Sequence, residues 1–220
     1  MAFSAVILDL DGVVADTESV QLRAFNAVLK PYGVEISEYQ WATKYVGIPV
    51  EKDLAMIHAQ FQLSVPLERL ADKRRETYAR LLQEPDGLQP TPGLIALLSY
   101  LETNDIIMAI ASGSPRVDVM NVLGLLRIAN HFKVVVTSDD VPRSKPSPDV
   151  YLRAASELGL PTSSCVAVED SAAGMVAAKT AGMTVIGFPS KFTQYQDLWS
   201  DFRISGLDEI QGIITKMRSE

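Results

Sequence analysis

The sequence predicts an α/β protein with a doubly wound parallel sheet and an α-helical domain inserted after the first strand. Short apolar runs recur along the 220-residue chain, and single helix-length amphipathic segments separate all but the first two of them. This alternation is typical of parallel strands whose connecting helices cover both faces of the sheet. The predicted strands are residues 5–8, 106–111, 133–137, 165–168 and 184–188.

A much longer segment separates the first two strands. Residues 17–84 contain no convincing strand and predict four helices, and hinge-like stretches rich in glycine or proline flank them. We therefore expect a core domain of residues 1–15 and 90–220 and a helical domain of residues 16–89. The four predicted helices are residues 17–30, 37–46, 49–61 and 66–84.

The helices between the later strands have recognisable ends. Pro115 and Ser171 are predicted to begin two of them, because proline and serine are common at helix N-termini. Gly124, Gly159 and Gly182 are predicted to end helices, because glycine adopts the left-handed conformation that often follows the last turn.

The composition limits the class of protein. With 47% hydrophobic residues the chain can bury one sizeable core. A net charge of −7 argues against a nucleic-acid partner, which would require a basic face. The run Lys73, Arg74 and Arg75 lies in a charged helical pattern, and we interpret it as a solvated helix face.

The sequence also predicts a cytoplasmic protein. Cys165 is the single cysteine, so no internal disulfide can form, and its apolar surroundings predict a core position. The N-terminus lacks the features of a signal peptide, and no apolar stretch reaches the roughly 18 residues of a membrane span. We expect no membrane partner; the oligomeric state stays open, and a monomer is compatible with the sequence.

Polar and charged residues follow the predicted strands. Because the carboxyl ends of parallel strands meet at one edge, these residues should converge there. Two like charges about 4 Å apart cost roughly 4 kcal/mol at an effective dielectric near 20, so the cluster needs cations. Oxygen ligands favour Mg²⁺, whereas two histidines and one cysteine provide little for zinc. The converging residues are Asp9, Asp11, Ser112, Lys145, Glu169 and Asp170.

These residue types suit phosphoryl transfer. Asp9 is a nucleophile already ionised at neutral pH, and Asp11, on the same side of an extended chain, can act as general acid and base. Ser112 and the Gly113 amide offer donors to phosphoryl oxygens, and Lys145 neutralises charge that develops in the transition state.

Each of these signals has a simpler explanation when taken alone. Among 27 acidic residues, the Asp9 and Asp11 pair can arise by chance or in a solvated loop. Ser112 can be a helix cap, and Lys145 can belong to an ordinary loop before a proline. A calcium loop is excluded because Val13 occupies a ligand position. Their order and common location at strand ends favour function.

Four motifs carry a resemblance to a known family. DLDGV at 9–13, ASGS at 111–114, SKPSPD at 144–149 and VEDSAAG at 168–174 resemble the motifs of the haloacid dehalogenase superfamily. The helical insert is similar to the α-helical cap of its β-phosphoglucomutase-like and sugar-phosphate phosphatase branch. The resemblance covers nearly the whole chain and implies a Rossmann-like core.

The resemblance also implies roles for individual residues. It makes Asp9 the nucleophile and Asp11 the general acid and base. It makes Ser112 and Lys145 ligands of the phosphate group. It implies Mg²⁺ held by the residues Asp9, Asp11 through its carbonyl, Asp170, and Glu169 through water.

The cap of this family selects the substrate, which provides further candidates. Packing or solvation is an alternative explanation for each of them. The candidates are Lys44, Tyr45, Gly47 and Ile48 in a turn between two cap helices, and Arg116 on the core.

Together these features predict a Mg²⁺-dependent phosphatase for a small phosphate ester, a sugar or polyol phosphate, acting through an aspartyl-phosphate intermediate. A phosphosugar mutase is the alternative within the family. It needs a second cation on the cap, but Val50 stands where the resembling mutases carry that cation, an arginine. Gln21 stands where they carry a histidine that helps to delay attack by water. Lys44 or Lys52 can substitute as that cation.

A receiver-like phosphorylation switch is the alternative from a different class. It also places an aspartate, an acidic pair, a hydroxyl and a lysine on a doubly wound sheet. In receivers, however, the acidic pair precedes the phosphorylated aspartate and no helical domain is inserted, so the motif order favours the enzyme.

Overall fold

A computed structural model describes residues 3–48, 50–193 and 199–219. It contains one sheet of six strands in the order β3-β2-β1-β4-β5-β6, and all neighbouring strands are parallel. The predicted doubly wound α/β fold is therefore confirmed. The strands are β1 (Ala5–Leu8), β2 (Ile107–Ala111), β3 (Val134–Val136), β4 (Cys165–Glu169), β5 (Thr184–Gly187) and β6 (Phe202–Arg203).

Strand β1 lies at the centre of the sheet. Its residue Ala5 pairs with Ile107 of β2 on one side and with Cys165 of β4 on the other. The short edge strand β6 was not predicted, because two residues are too few to show the alternation of a strand.

Four helices form the segment between β1 and the rest of the core. Pro49, at which the third predicted helix begins, lies outside the described residues. The four helices pack around a hydrophobic cluster of their own, which contains Phe25, Trp41 and Ile57. They are α1 (Thr17–Leu29), α2 (Glu38–Lys44), α3 (Val50–Gln60) and α4 (Leu67–Leu82).

The remaining helices cover both faces of the sheet. Val6 and Leu8 of β1 point into one cluster with α5, α6 and α9, whereas Ala5 and Ile7 point into the other with α7 and α8. This alternation follows from the two-residue period of a strand. These helices are α5 (Leu94–Thr103), α6 (Arg116–Leu125), α7 (Asp149–Leu158), α8 (Ala172–Thr180) and α9 (Ile210–Ser219).

Most of the predicted helix ends are confirmed. Ser171 caps α8 by accepting a hydrogen bond from the Gly174 amide at 3.1 Å, and Gly159 ends α7 with a φ of +71°. Gly124 does not end α6, because the helix continues to Leu125. Arg127, with a φ of +58°, takes the left-handed position after the helix that was predicted for Gly124.

The chain leaves and re-enters the core at one place. Ala15, just before α1, forms an isolated parallel bridge with Asp11 and an antiparallel one with Pro90. We therefore propose that residues 16–89 form the cap and that residues 1–15 and 90–220 form the core. In the described part of the chain, no helix is long and apolar enough to cross a membrane.

Candidate active site

Three carboxylates meet beyond the carboxyl ends of β1 and β4. Asp9 follows β1, and its amide donates to the carbonyl of Val168 in β4 at 3.0 Å, which places the two strand ends side by side. One carboxylate oxygen each of Asp9, Glu169 and Asp170 lies within 4.8 Å of the others. All three residues are buried, so their mutual repulsion requires positive charge nearby.

Lys145 provides one such charge. Its Nζ donates to Asp9 Oδ1 at 2.7 Å and to Glu169 Oε1 at 2.5 Å. Burial lowers the pKa of Lys145, but attraction to the two carboxylates outweighs it and holds the pKa above the ordinary value. The lysine therefore stays charged and fixes the position of the Asp9 carboxylate.

Glu169 is held from several sides. Tyr151 donates its hydroxyl to Oε1 at 2.9 Å, and Ser171 donates both its amide and its hydroxyl to Oε2 at 3.0 and 3.1 Å. Gly174 packs directly on the carboxylate, where a Cβ would lie 1.7 Å from Oε1. Position 174 therefore has no room for any side chain.

The carboxylate cluster is incompletely neutralised by protein groups. Burial, reinforced by Glu169, raises the pKa of Asp9 well above its ordinary value, against the opposing effect of Lys145. The same two causes raise the pKa of Asp170, whose Oδ2 accepts a hydrogen bond from Thr193 at 3.2 Å. Three carboxylates with one lysine form an all-oxygen site that suits a divalent cation.

Asp11 lies beside this cluster with its carboxylate restrained. Thr17 at the start of α1 donates to Oδ1, and Ser114 donates to Oδ2 at 2.8 Å. Gly12 has a φ of +79°, and a Cβ there would lie 2.1 Å from Asp170 Oδ2. The turn after β1 therefore needs glycine both for its backbone conformation and for space.

Ser112 and Gly113, from the motif ASGS at 111–114, take different positions in the site. Ser112 is fully buried, and its hydroxyl accepts the Ser114 amide at 3.0 Å and lies 3.5 Å from Asp11 Oδ2. Gly113, by contrast, lines the cavity in front of Asp9. The structure thus brings together the predicted residues of all four motifs.

A cavity of about 360 Å³ lies between these motifs and the cap. Tyr45, Gly47 and Ile48, which the sequence singled out, are among its lining residues. Lys44 is exposed and does not line it. Arg116 does not line it either, because its guanidinium donates to Asp140 Oδ2 at 2.6 Å and to the carbonyl of Val135 at 3.1 Å.

Arg74 is the main correction to the sequence analysis. Lys73 is exposed and does not line the cavity, as the predicted solvated face requires. Arg75 is exposed but also lines the cavity, and Arg74 is only 5% exposed and lines it. Its guanidinium lies over the rings of Phe25 at 5.4 Å and Tyr78 at 4.7 Å. The helical period could have predicted that Arg74 is buried, because position 74 is four residues after the buried Leu70 and four before the buried Tyr78.

Two acidic residues of the cap also escaped the sequence analysis. Glu18 on α1 lines the cavity and accepts the indole N–H of Trp41 at 2.7 Å, and Asp53 on α3 lines it while only 2% exposed. Burial raises the pKa of Asp53 to about 8, opposed by Arg74 and reinforced by Glu51. Position 53 precedes the buried Leu54 and Ile57, a weak signal that does not distinguish a buried acid from a surface one.

Comparison with known proteins gives consistent matches. Residues 6–188 match the model of a family described as haloacid dehalogenase-like hydrolase. Protein CbbY of Rhodobacter capsulatus is 31% identical, over 94% of this chain and 95% of that protein. Hexitol phosphatase B of Escherichia coli (strain K12) is 29% identical, over 94% and 93%. The crystal structure of CbbY from Rhodobacter sphaeroides in complex with phosphate has a TM-score of 0.82 and 25% identity, over 94% and 96%.

Proposed function

The chain belongs to the haloacid dehalogenase-like hydrolases, and we propose that it is a Mg²⁺-dependent phosphatase of sugar or polyol monophosphates with an aspartyl-phosphate intermediate. The observation that carries the proposal is the Asp9 carboxylate, fixed by Lys145 and open to a cavity that Asp11 also lines. The predicted family branch and the predicted class, a phosphoric monoester hydrolase, are confirmed by the family match and by phosphatase-named relatives.

In the first half-reaction, a carboxylate oxygen of Asp9 forms a bond to phosphorus while the bond from phosphorus to the ester oxygen breaks. Asp11, in its protonated form, transfers its proton to the departing alkoxide. The hydrogen bonds from Thr17 and Ser114 orient Asp11 for this transfer. The products of this step are the free alcohol and phosphorylated Asp9.

In the second half-reaction, water attacks the phosphorus of the aspartyl phosphate and Asp11 takes up its proton. The bond between phosphorus and the Asp9 oxygen breaks, which releases inorganic phosphate and regenerates both carboxyl groups. Lys145 and the Gly113 amide, with Ser112, are the proposed ligands of the phosphoryl oxygens. All three residues lie at the edge of the sheet that carries Asp9.

We assign the metal site to Asp9, Asp170 and the Asp11 carbonyl, with Glu169 supporting through water. The oxygen-only donor set and the surplus of carboxylates over the single lysine support Mg²⁺. When bound, the ion stabilises negative charge on the phosphoryl oxygens. Lys145, which donates to Asp9 Oδ1, stabilises the same negative charge.

Hydrolysis and mutase activity differ in what the cap must hold. A mutase binds a bisphosphate in two orientations, so it needs cations on the cap. Val50 and Gln21 line the cavity as neutral residues, and Lys44 and Lys52 are exposed and away from it. Arg74 and Arg75 do line it, but Glu18, Glu51, Asp53 and Asp118 line it with them. These acidic side chains offset the two arginines, so the cap side has no surplus of positive charge for a second phosphate, and this favours hydrolysis.

The test supplies β-glucose 1-phosphate, Mg²⁺ and a trace of glucose 1,6-bisphosphate and measures glucose 6-phosphate and free phosphate side by side. Release of phosphate with little glucose 6-phosphate supports the phosphatase. Efficient formation of glucose 6-phosphate would make the protein a mutase. Steady turnover of para-nitrophenyl phosphate separates either enzyme from a receiver-like switch, which would be phosphorylated once without turnover.

A further inference from the structure

The cap side of the cavity contains buried polar atoms with no partner. In the described part of the chain, every buried side-chain nitrogen or oxygen that lacks a hydrogen bond belongs to one of three residues, and all three line this cavity. Burying a polar group without a hydrogen-bond partner costs free energy. The concentration of such atoms around one cavity indicates a ligand that forms hydrogen bonds with them. The atoms are Gln21 Oε1, Asp53 Oδ1, Arg74 Nε and Arg74 Nη2.

The three side chains come from three different cap helices. Gln21 lies on α1, Asp53 on α3 and Arg74 on α4. Asp53 and Arg74 are 2% and 5% exposed, and among the described residues Asp53 Oδ1 and the Nε and Nη2 atoms of Arg74 have no partner. The aromatic rings beside Arg74 hold its guanidinium in place, so the unpaired donors keep a fixed direction.

The chemistry of the unpaired atoms selects the ligand. Two of them accept hydrogen bonds and two donate them. A hydroxyl group both donates and accepts hydrogen bonds. Neighbouring hydroxyls can therefore provide hydrogen-bond partners for the carboxyl group and the guanidinium at the same time. A second phosphate only accepts, so it would leave the Asp53 and Gln21 oxygens without partners and would lie against the acidic residues of the cap.

We propose that Asp53 and Arg74 are specificity-determining residues that bind the uncharged, hydroxyl-rich end of a monophosphate substrate and disfavour a second phosphate. The proposal rests on the proposed function, since it names the part of the substrate opposite the phosphate. Asp53 accepts from substrate hydroxyls, Arg74 donates to their oxygens, and Gln21 adds a further acceptor.

The experiment compares kcat/KM for sorbitol 6-phosphate and n-hexyl phosphate, which has the same chain length without hydroxyls. It also compares fructose 6-phosphate with fructose 1,6-bisphosphate. The assays are run at pH 9, where Asp53 is ionised because its pKa lies at about 8. In Asp53→Asn, the preference for sorbitol 6-phosphate over hexyl phosphate should then fall roughly 10- to 100-fold, the value of a hydrogen bond to a charged group. The preference for fructose 6-phosphate over the bisphosphate should fall in the same variant, and Arg74→Met should lower the first ratio as well.

Glu76→Gln is the matched control, because it removes the same charge from an exposed position of the cap. Both ratios should stay at wild-type values in this variant. Equal loss of activity on all esters in Asp53→Asn, accompanied by a lower Tm, would mean a purely structural role and overturn the proposal. A wild-type preference for the bisphosphate would also overturn it. Failure of the wild-type protein to release phosphate from any ester is a different result, and it would overturn the proposed function itself.

Discussion

The two sides of the cavity differ in how their charged groups are paired. On the core side, Lys145 binds Asp9 and Glu169 at 2.7 and 2.5 Å. On the cap side, Asp53 and Arg74 are equally buried but have unpaired polar atoms. The core side is therefore organised before substrate arrives, whereas the cap side is completed only by what it binds.

This difference separates chemistry from specificity. Groups that act on the phosphoryl centre must hold their geometry in every turnover, so paired and packed side chains suit them. Groups that recognise the rest of the substrate must keep hydrogen-bonding capacity free until the ligand enters. The four predictions below test this comparison, beginning with the core side.

Asp9→Asn should have the largest effect. The amide keeps the shape of the carboxylate but removes the proposed nucleophile and metal ligand together, so phosphate release should fall by at least about 10⁴-fold. Steady-state release from para-nitrophenyl phosphate with Mg²⁺ measures it. Circular dichroism should show an intact fold, and retention of more than a few per cent of activity would rule out the nucleophile assignment.

Asp11→Asn should have a smaller effect that depends on the leaving group. An alkoxide requires protonation as it departs, whereas para-nitrophenolate leaves without it. We expect a loss of about 10²- to 10³-fold on alkyl phosphates and a clearly smaller loss on para-nitrophenyl phosphate in the first half-reaction. Pre-steady-state release of the two alcohols measures this step, and an equal loss on both would contradict the role of Asp11 as an acid.

Phe192→Ala tests the contact between the two sides. Phe192 follows β5 in the core but is buried in the hydrophobic cluster of the cap, and its neighbour Thr193 donates to Asp170. The variant should lose about 3 kcal/mol of the free energy of unfolding, and KM should rise because the cap is less well held. Phe132→Ala is the control, because Phe132 is buried just before β3, at the end of the sheet opposite the carboxylates: it should lower the Tm while leaving KM unchanged.

Asp53→Asn should change stability in a pH-dependent way. The pKa of Asp53 is about 8 in the folded protein and near 3.9 in an unfolded chain. At pH values between these two, the folded protein keeps a proton on Asp53 that the unfolded chain has lost. The contribution of Asp53 to stability is therefore lost as pH rises from about 4 to 8. The variant should gain stability relative to wild type over this window, by at least about 1 kcal/mol at its upper end. Thermal unfolding from pH 5 to pH 8 measures the gain, and a less stable variant at pH 8 would contradict it.

The sequence by itself predicted strands β1 to β5 and the residues on the core side of the cavity, but not the short edge strand β6. The runs 5–8, 106–111 and 165–168 are each followed directly by a predicted site residue, and 133–137 leads into the loop that carries Lys145. Because the carboxyl ends of parallel strands meet at one edge, this local pattern was enough to predict that these residues converge. The requirement for glycine at position 12 came from the structure, which shows its positive φ and the Asp170 carboxylate against it.

Only the tertiary structure decided the cap side. The charged run around Arg74 matches a solvated helix face in composition, and its neighbours Lys73 and Arg75 are indeed exposed. Whether the middle residue faces water or the cavity depends on the aromatic rings that receive it. Tyr78 is four positions away on the same helix, but Phe25 of α1 is about 50 positions away along the chain. Lys44 and Arg116, two candidates for contact with substrate, are exposed and do not line the cavity, and Arg116 donates instead to Asp140 and to the carbonyl of Val135. The position of a side chain on a helix is local, whereas what that face meets is decided by the packing of distant segments.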